Sequence, residues 1–171
     1  MTYPAEDWKP GDVGFAHTNG AMGKVIRVGE WLRLHKNTWN HQFALDRYEN
    51  GEWYVIQAEM AGVTNTRKLE EVAPGGRYEI VPLPTECNRD LFLEFIRGEV
   101  GAEYGWTTDL AMSIDILSWS WFPSFRGARK ASWQCAALIN EGMRFGGWYH
   151  RYLDVYCVFP EQGYDALCPG G

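Results

Sequence analysis

Asn40-His41-Gln42-Phe43-Ala44-Leu45-Asp46-Arg47-Tyr48-Glu49-Asn50-Gly51-Glu52-Trp53-Tyr54-Val55-Ile56-Gln57-Ala58-Glu59 is the most informative run of the chain. Its centre, Asn50-Gly51, suits a two-residue turn in which both residues take positive φ, the connection whose twist matches that of paired strands. Gln42 to Tyr48 and Trp53 to Glu59 are rich in aromatic and β-branched residues, so they read as the two strands of an antiparallel hairpin. His41 opens the first strand. On the second, Gln57 and Glu59 are two residues apart and share one face.

Working outward, Lys9-Pro10-Gly11-Asp12 is turn-rich and leads into Val13-Gly14-Phe15-Ala16, a short strand. Residues 23–35 carry apolar side chains at helical spacing. Past the hairpin, Arg77 to Val81 reads as a strand between Pro74-Gly75-Gly76 and Pro82. Leu91, Phe92, Phe95, Ile96 and Val100 then fall on one helical face, with Asn88 as cap. A second helix is expected over 109–117. Ser118 to Arg129 is aromatic, broken by proline and basic at its end, and reads as a loop. Ser132 to Phe145 reads as a helix capped by Ser132 and stopped by Gly146-Gly147. A last strand is expected over Tyr156 to Phe159. Strands and helices are partly segregated, the α+β pattern, in a single domain over 1–171.

Composition narrows the function. The chain has 171 residues, 46% of them hydrophobic, which suits one globular domain. A net charge of -6 disfavours nucleic acid as a partner, since phosphates need a basic face. No apolar run is long enough for a transmembrane segment. The first residues lack the basic start and apolar stretch of a secretory signal. The chain therefore reads as cytoplasmic as synthesised, or as a component of a larger particle such as a phage. Cys87, Cys135, Cys157 and Cys168 form no Cys-x-x-Cys pair, though a Cys157–Cys168 bridge stays open. His17, His35, His41 and His150 show no metal-ligand spacing, so neither metal nor cofactor is expected. Nine tryptophans read mostly as core, because each buries much area.

Cys135, in the first turn of its expected helix, is the candidate nucleophile. A helix N-terminus carries partial positive charge, which favours a thiolate, and its N–H groups can face an oxyanion. A small buried core residue is the competing reading of the same position. A thiolate needs a base within hydrogen-bond reach, and imidazole titrates in the useful range. His41, on a strand, is placed more rigidly than His17 in a glycine-rich loop or His35 at a helix end. Gln57 or Glu59 could orient the ring from the paired strand.

Five segments, in order, resemble the circularly permuted papain-like (NlpC-type) cysteine peptidases and amidases. Lys9-Pro10-Gly11-Asp12-Val13-Gly14-Phe15 resembles their Gly-Asp-hydrophobe-x-Phe opening. Asn40-His41-Gln42-Phe43-Ala44-Leu45 is similar to their Ser-His-Val-Gly-Ile strand. Val55-Ile56-Gln57-Ala58 with Gly62-Val63 resembles a strand ending in Glu-Ala and followed by Gly-Val. Gly101-Ala102-Glu103-Tyr104-Gly105 is similar to their Gly-x-x-Tyr-Asp. Trp133-Gln134-Cys135-Ala136-Ala137-Leu138 resembles the Cys-Ser-Glu-Leu helix start. The matches span roughly residues 10–147. Three positions depart: Ala136-Ala137 stands for Ser-Glu, Gly105 for Asp, and Gln57 for Glu.

The resemblance implies a papain-like fold, a small antiparallel sheet packed against helices, with the histidine strand preceding the cysteine helix. It implies Cys135 as nucleophile, His41 as base, Gln57 as the third polar residue and Tyr104 near the thiol. The substrate it implies is a peptide or peptidoglycan stem amide, with lipid amides and esters as the superfamily's other substrates. Acyl transfer, or a non-catalytic structural or binding domain in a phage or bacterial assembly, are the alternatives. Trp119 and Trp121, in the aromatic stretch 118–125, together with Tyr104 and Glu59, are candidates for a substrate groove. The same stretch is the candidate docking surface for an assembly partner.

Overall fold

A computed structural model of the chain describes residues 3–18, 38–105, 132–148 and 159–168. The architecture is α+β: a five-stranded antiparallel sheet with helices against it. The strands are β1 (Val13–Ala16), β2 (His41–Glu49), β3 (Glu52–Glu59), β4 (Gly62–Lys68) and β5 (Tyr78–Val81), in the order β4-β3-β2-β1-β5. Two short strands, β6 (Glu103–Tyr104) and β7 (Ser132–Trp133), pair in parallel beside them. The helices are α1 (Leu69–Val72), α2 (Arg89–Gly98), α3 (Cys135–Phe145) and α4 (Pro160–Leu167). Among the described residues no helix is long and apolar enough to cross a membrane.

The hairpin forms as expected. Asn50 and Gly51 take φ of 54° and 84°, the positive values its turn requires. Ala44 pairs with Ile56 and Leu45 with Val55, and the register then shifts by one residue at Asp46. That shift turns the Asp46 carboxylate to Arg47 (2.7 Å) and to Arg97 of α2 (2.8 Å).

Alternation divides the sheet into two faces. Val13, Phe15, Ala44, Ile56 and Ala58 pack with Phe92 and Ile96 of α2 and with Leu138, Ile139 and Met143 of α3. Ala16, Phe43, Leu45, Val55 and Ile80 pack on the opposite face with Leu69 and Val72 of α1. Gly14 is needed in β1 because the Phe43 ring occupies the space of a side chain there; a Cβ would come within 2.1 Å of it. Asp12, fully buried, ties the start of β1 to its surroundings. It accepts from the Lys9 N–H (2.8 Å), the Leu83 N–H (3.2 Å) and the Tyr3 hydroxyl (3.0 Å), and it pairs with Arg89 of α2 (2.9 Å).

Several expectations need correction. The helix expected from Ser132 begins at Cys135, because Ser132 and Trp133 pair with Glu103 and Tyr104; Gln134 is the N-cap, not Ser132. Its end is as expected: Gly147 takes φ of 92°, and Trp148 N–H and Gly147 N–H reach the Met143 and Arg144 carbonyls. Asn88 caps α2 through Asp90 N–H and Leu91 N–H. The buried stripe of that helix is Phe92, Leu93 and Ile96, whereas Leu91 and Val100 are exposed. The strand β4 was not anticipated; its Thr64-Asn65-Thr66-Arg67-Lys68 is polar throughout and gives no hydrophobic period. Phe159, expected to end a strand, is instead the N-cap of α4, with Pro160 at its first position. The helices expected over 23–35 and 109–117, the loop 118–129 and residues 156–158 of the last expected strand lie outside the described residues.

Candidate functional site

His41 is the first residue of β2, and β1 pairs Ala16 with it. It lies on the Phe43 face of the sheet, its ring stacked on that of Phe43 with centroids 6.2 Å apart. Gln57 projects from β3 on the same face, and its Oε1 lies 2.7 Å from His41 Nε2. An amide oxygen only accepts, so Nε2 carries the proton and donates. Neutral His41 therefore keeps Nδ1 as its basic nitrogen. Burial holds the imidazole below its ordinary value of 6.5, while the Gln57 hydrogen bond and the Glu59 carboxylate oppose that. A half-buried imidazole of fixed tautomer, neutral at physiological pH, suits a general base.

Cys135 occupies the first position of α3 and is 5% exposed. The side chain of its N-cap, Gln134, makes no capping hydrogen bond. Cys87 and Cys168 are also free thiols, the latter at odds with a bridge to Cys157, which itself lies outside the described residues. Burial raises the pKa of both.

Of the three residues expected to converge, His41 and Gln57 are joined by that hydrogen bond. Helix α3 packs on the Ala44 face, where Asn140 donates to Gln42 (3.3 Å), and the His41–Gln57 pair lies on the other face. Cys135 is the first residue of α3 and His41 the first residue of β2. Tyr104 is half-buried and bridges to Trp133, two residues before Cys135, so the backbone brings it close to the thiol's segment. Of the two candidates on β3, Gln57 is the one hydrogen-bonded to the ring. Glu59 is instead paired with Arg67, which donates from Nε (3.3 Å) and Nη2 (3.2 Å). Trp119, Trp121 and His35 lie outside the described residues.

Arg67 is the site neighbour that the chain's pattern did not reveal. It sits on the unanticipated β4, and its only signal is a cation in a polar run after a glutamate-ended strand. Among the described residues no group of three or more His, Cys, Asp or Glu side chains could hold a metal ion. No protein-family model matches this chain, and no curated protein matches it either.

Proposed function

We propose that the protein is a thiol-dependent hydrolase of amide bonds, with Cys135 as nucleophile, His41 as base and Gln57 as the residue that orients the base. The observation that carries this reading is the 2.7 Å bond between His41 Nε2 and Gln57 Oε1. It supports the reading because it leaves Nδ1 as the basic nitrogen, as a thiol–imidazole site needs. In the proposed cycle the Cys135 thiol gives its proton to Nδ1, and the thiolate forms a bond to the carbonyl carbon. The carbonyl oxygen takes the electron pair, held by N–H groups of the α3 N-terminus. The intermediate collapses as His41 returns the proton to the leaving amine. Water, deprotonated by Nδ1, then cleaves the thioester and restores the thiol.

The substrate class in this reading is a peptide or peptidoglycan stem amide. It rests on the resemblance in residues 10–147 to permuted papain-like enzymes, which also supplies the finer description of the fold. Catalysis in this form requires the Cys135 sulfur to meet Nδ1 around the end of β2. An electrophilic thiol probe at neutral pH is the direct experiment. It should modify Cys135 in the native protein, lose that modification in Cys135→Ala, and slow by tenfold or more in His41→Ala. Native protein left unmodified at Cys135, with labelling restored on unfolding, overturns the reading.

A second reading is a non-catalytic binding or structural domain of the same fold. The packing of α3 on the face opposite the His41–Gln57 pair favours it, as does the near-complete burial of Cys135. The same probe experiment separates the two.

A further inference from the structure

The base has a neutral orienting partner. An amide can fix the tautomer of an imidazole, but it offers no charge to the imidazolium formed when the ring takes a proton. The sheet supplies a carboxylate nearby. Glu59 is two residues beyond Gln57 on β3 and on the same face, and continuing the Ala44–Ile56 register sets it across from His41. Glu59 is in turn gripped through both carboxylate oxygens by Arg67 of β4. We propose that Glu59 is the positioning residue that stabilises the His41 imidazolium through space, and that Arg67 is its counter-charge, setting how much of that field the ring receives.

The inference rests on the base role proposed above for His41 but not on the identity of the nucleophile. From β5, one strand beyond Ala16 on the same face, comes Tyr78; burial and the Glu70 carboxylate hold its hydroxyl above the ordinary value, so it adds no charge. From β1, Ala16 faces His41 and is uncharged, while His17 turns its Nδ1 to the Thr38 carbonyl (3.1 Å). From β3 come Gln57 and Glu59. From β4, Thr64 pairs with Gln57 and is neutral, and Arg67 is hydrogen-bonded to Glu59. From α1, Glu71 lies near Arg67 and adds to the negative charge around it. The influence of Glu59 on the His41 equilibrium runs in the direction the geometry requires. The Glu59–Arg67 pair is partly exposed, so the coupling is screened by salt.

The experiment is an NMR titration of the His41 ring, assigned among the four histidines with His41→Gln. Glu59→Gln should lower the His41 midpoint, and Arg67→Gln should raise it. Arg67→Lys, which keeps the charge, should leave it near the wild-type value. Raising the salt concentration should shrink the gap between wild type and Glu59→Gln. A midpoint unmoved in Glu59→Gln, or moved down in Arg67→Gln, overturns the proposal. Thermal melts of each variant identify any that fail to fold, and Arg67→Lys then serves as the folded control against which Glu59→Gln is read. The thiol-probe assay is run in parallel. Normal Cys135 labelling with an unmoved midpoint sinks this inference alone, whereas moved midpoints with an unreactive Cys135 sink the hydrolase reading alone.

Discussion

At the scale of single residues, the cysteines and His41 yield the sharpest predictions. Burial keeps Cys87 and Cys168 protonated beyond the ordinary thiol range, with the Glu79 carboxylate adding to the effect at Cys168. Both should therefore react slowly with iodoacetamide at neutral pH, and Cys135 faster than either, if its helix N-terminus and an imidazole favour the thiolate. Mass spectrometry of alkylated peptides over time checks the order; Cys135 reacting last would contradict the proposed site. His41 also leaves a mark on stability. Its folded-state value lies below 6.5, so between the two values the unfolded chain binds more protons than the native one. The stabilising contribution of neutral His41 is present above pH 6.5 and is lost as pH falls from there towards the folded-state value. Denaturant titrations at pH 7.5 and 5.5 should show the loss, and His41→Gln should reduce the difference. An equal pH dependence in the variant would mean that other groups cause it.

At the scale of elements, the two helices that embrace the core depend on a cap and on a gap. The Asn88 side chain accepts from Asp90 N–H and Leu91 N–H at the start of α2, each at 3.1 Å. Asn88→Ala should cost about 1 kcal/mol, read from urea unfolding, because those donors lose their partner. Where α3 crosses α2, Gly142 lets the helices approach: an added Cβ would lie 2.7 Å from an Ile96 methyl carbon and 2.9 Å from the Phe92 ring. Gly142→Ala gains helix propensity but overpacks a rigid contact, so a net loss of about 1–3 kcal/mol is expected. An unchanged or raised midpoint would show that α2 yields at that crossing.

At the scale of the whole molecule, Asp12 is the residue that joins separate parts of the chain. Its carboxylate meets the turn before β1, the segment after β5, the N-terminal Tyr3 and the α2 residue Arg89. Asp12→Ala would leave the Leu83 and Lys9 N–H groups without their acceptor, while the partly exposed Arg89 can turn to water. The expected cost is about 2–4 kcal/mol, with Asp12→Asn intermediate, measured by thermal or urea unfolding. A loss below the Asn88→Ala value would mean the Asp12 contacts are replaced by solvent. Gly11-Asp12 was legible in the chain as a turn signal, and as part of a family-like opening. That its carboxylate would be a buried hub was not, because Leu83 and Arg89 lie more than 70 residues away in sequence.

Local chemistry by itself determined the hairpin, the Asn88 cap and the glycine stop of α3. Each follows from backbone preferences acting over a few residues, and positive φ at Asn50-Gly51 or at Gly147 needs no distant partner. The pairing of His41 with Gln57 was half legible: two strands joined by a tight turn must bring their ends together, though Glu59 was an equal candidate from the same face. The start of α3 was decided by tertiary structure, because the pairing of Ser132 and Trp133 with Glu103 and Tyr104 outcompetes a serine cap. Strand β4 and with it Arg67 were also decided there. A polar strand has no period to read, and it forms because β3 offers it an unpaired edge. The face taken by α3 relative to His41 belongs to the same class: alternation says which residues share a face, but only the packed core of Ala44, Ile56, Leu138 and Ile139 selects which face receives the helix.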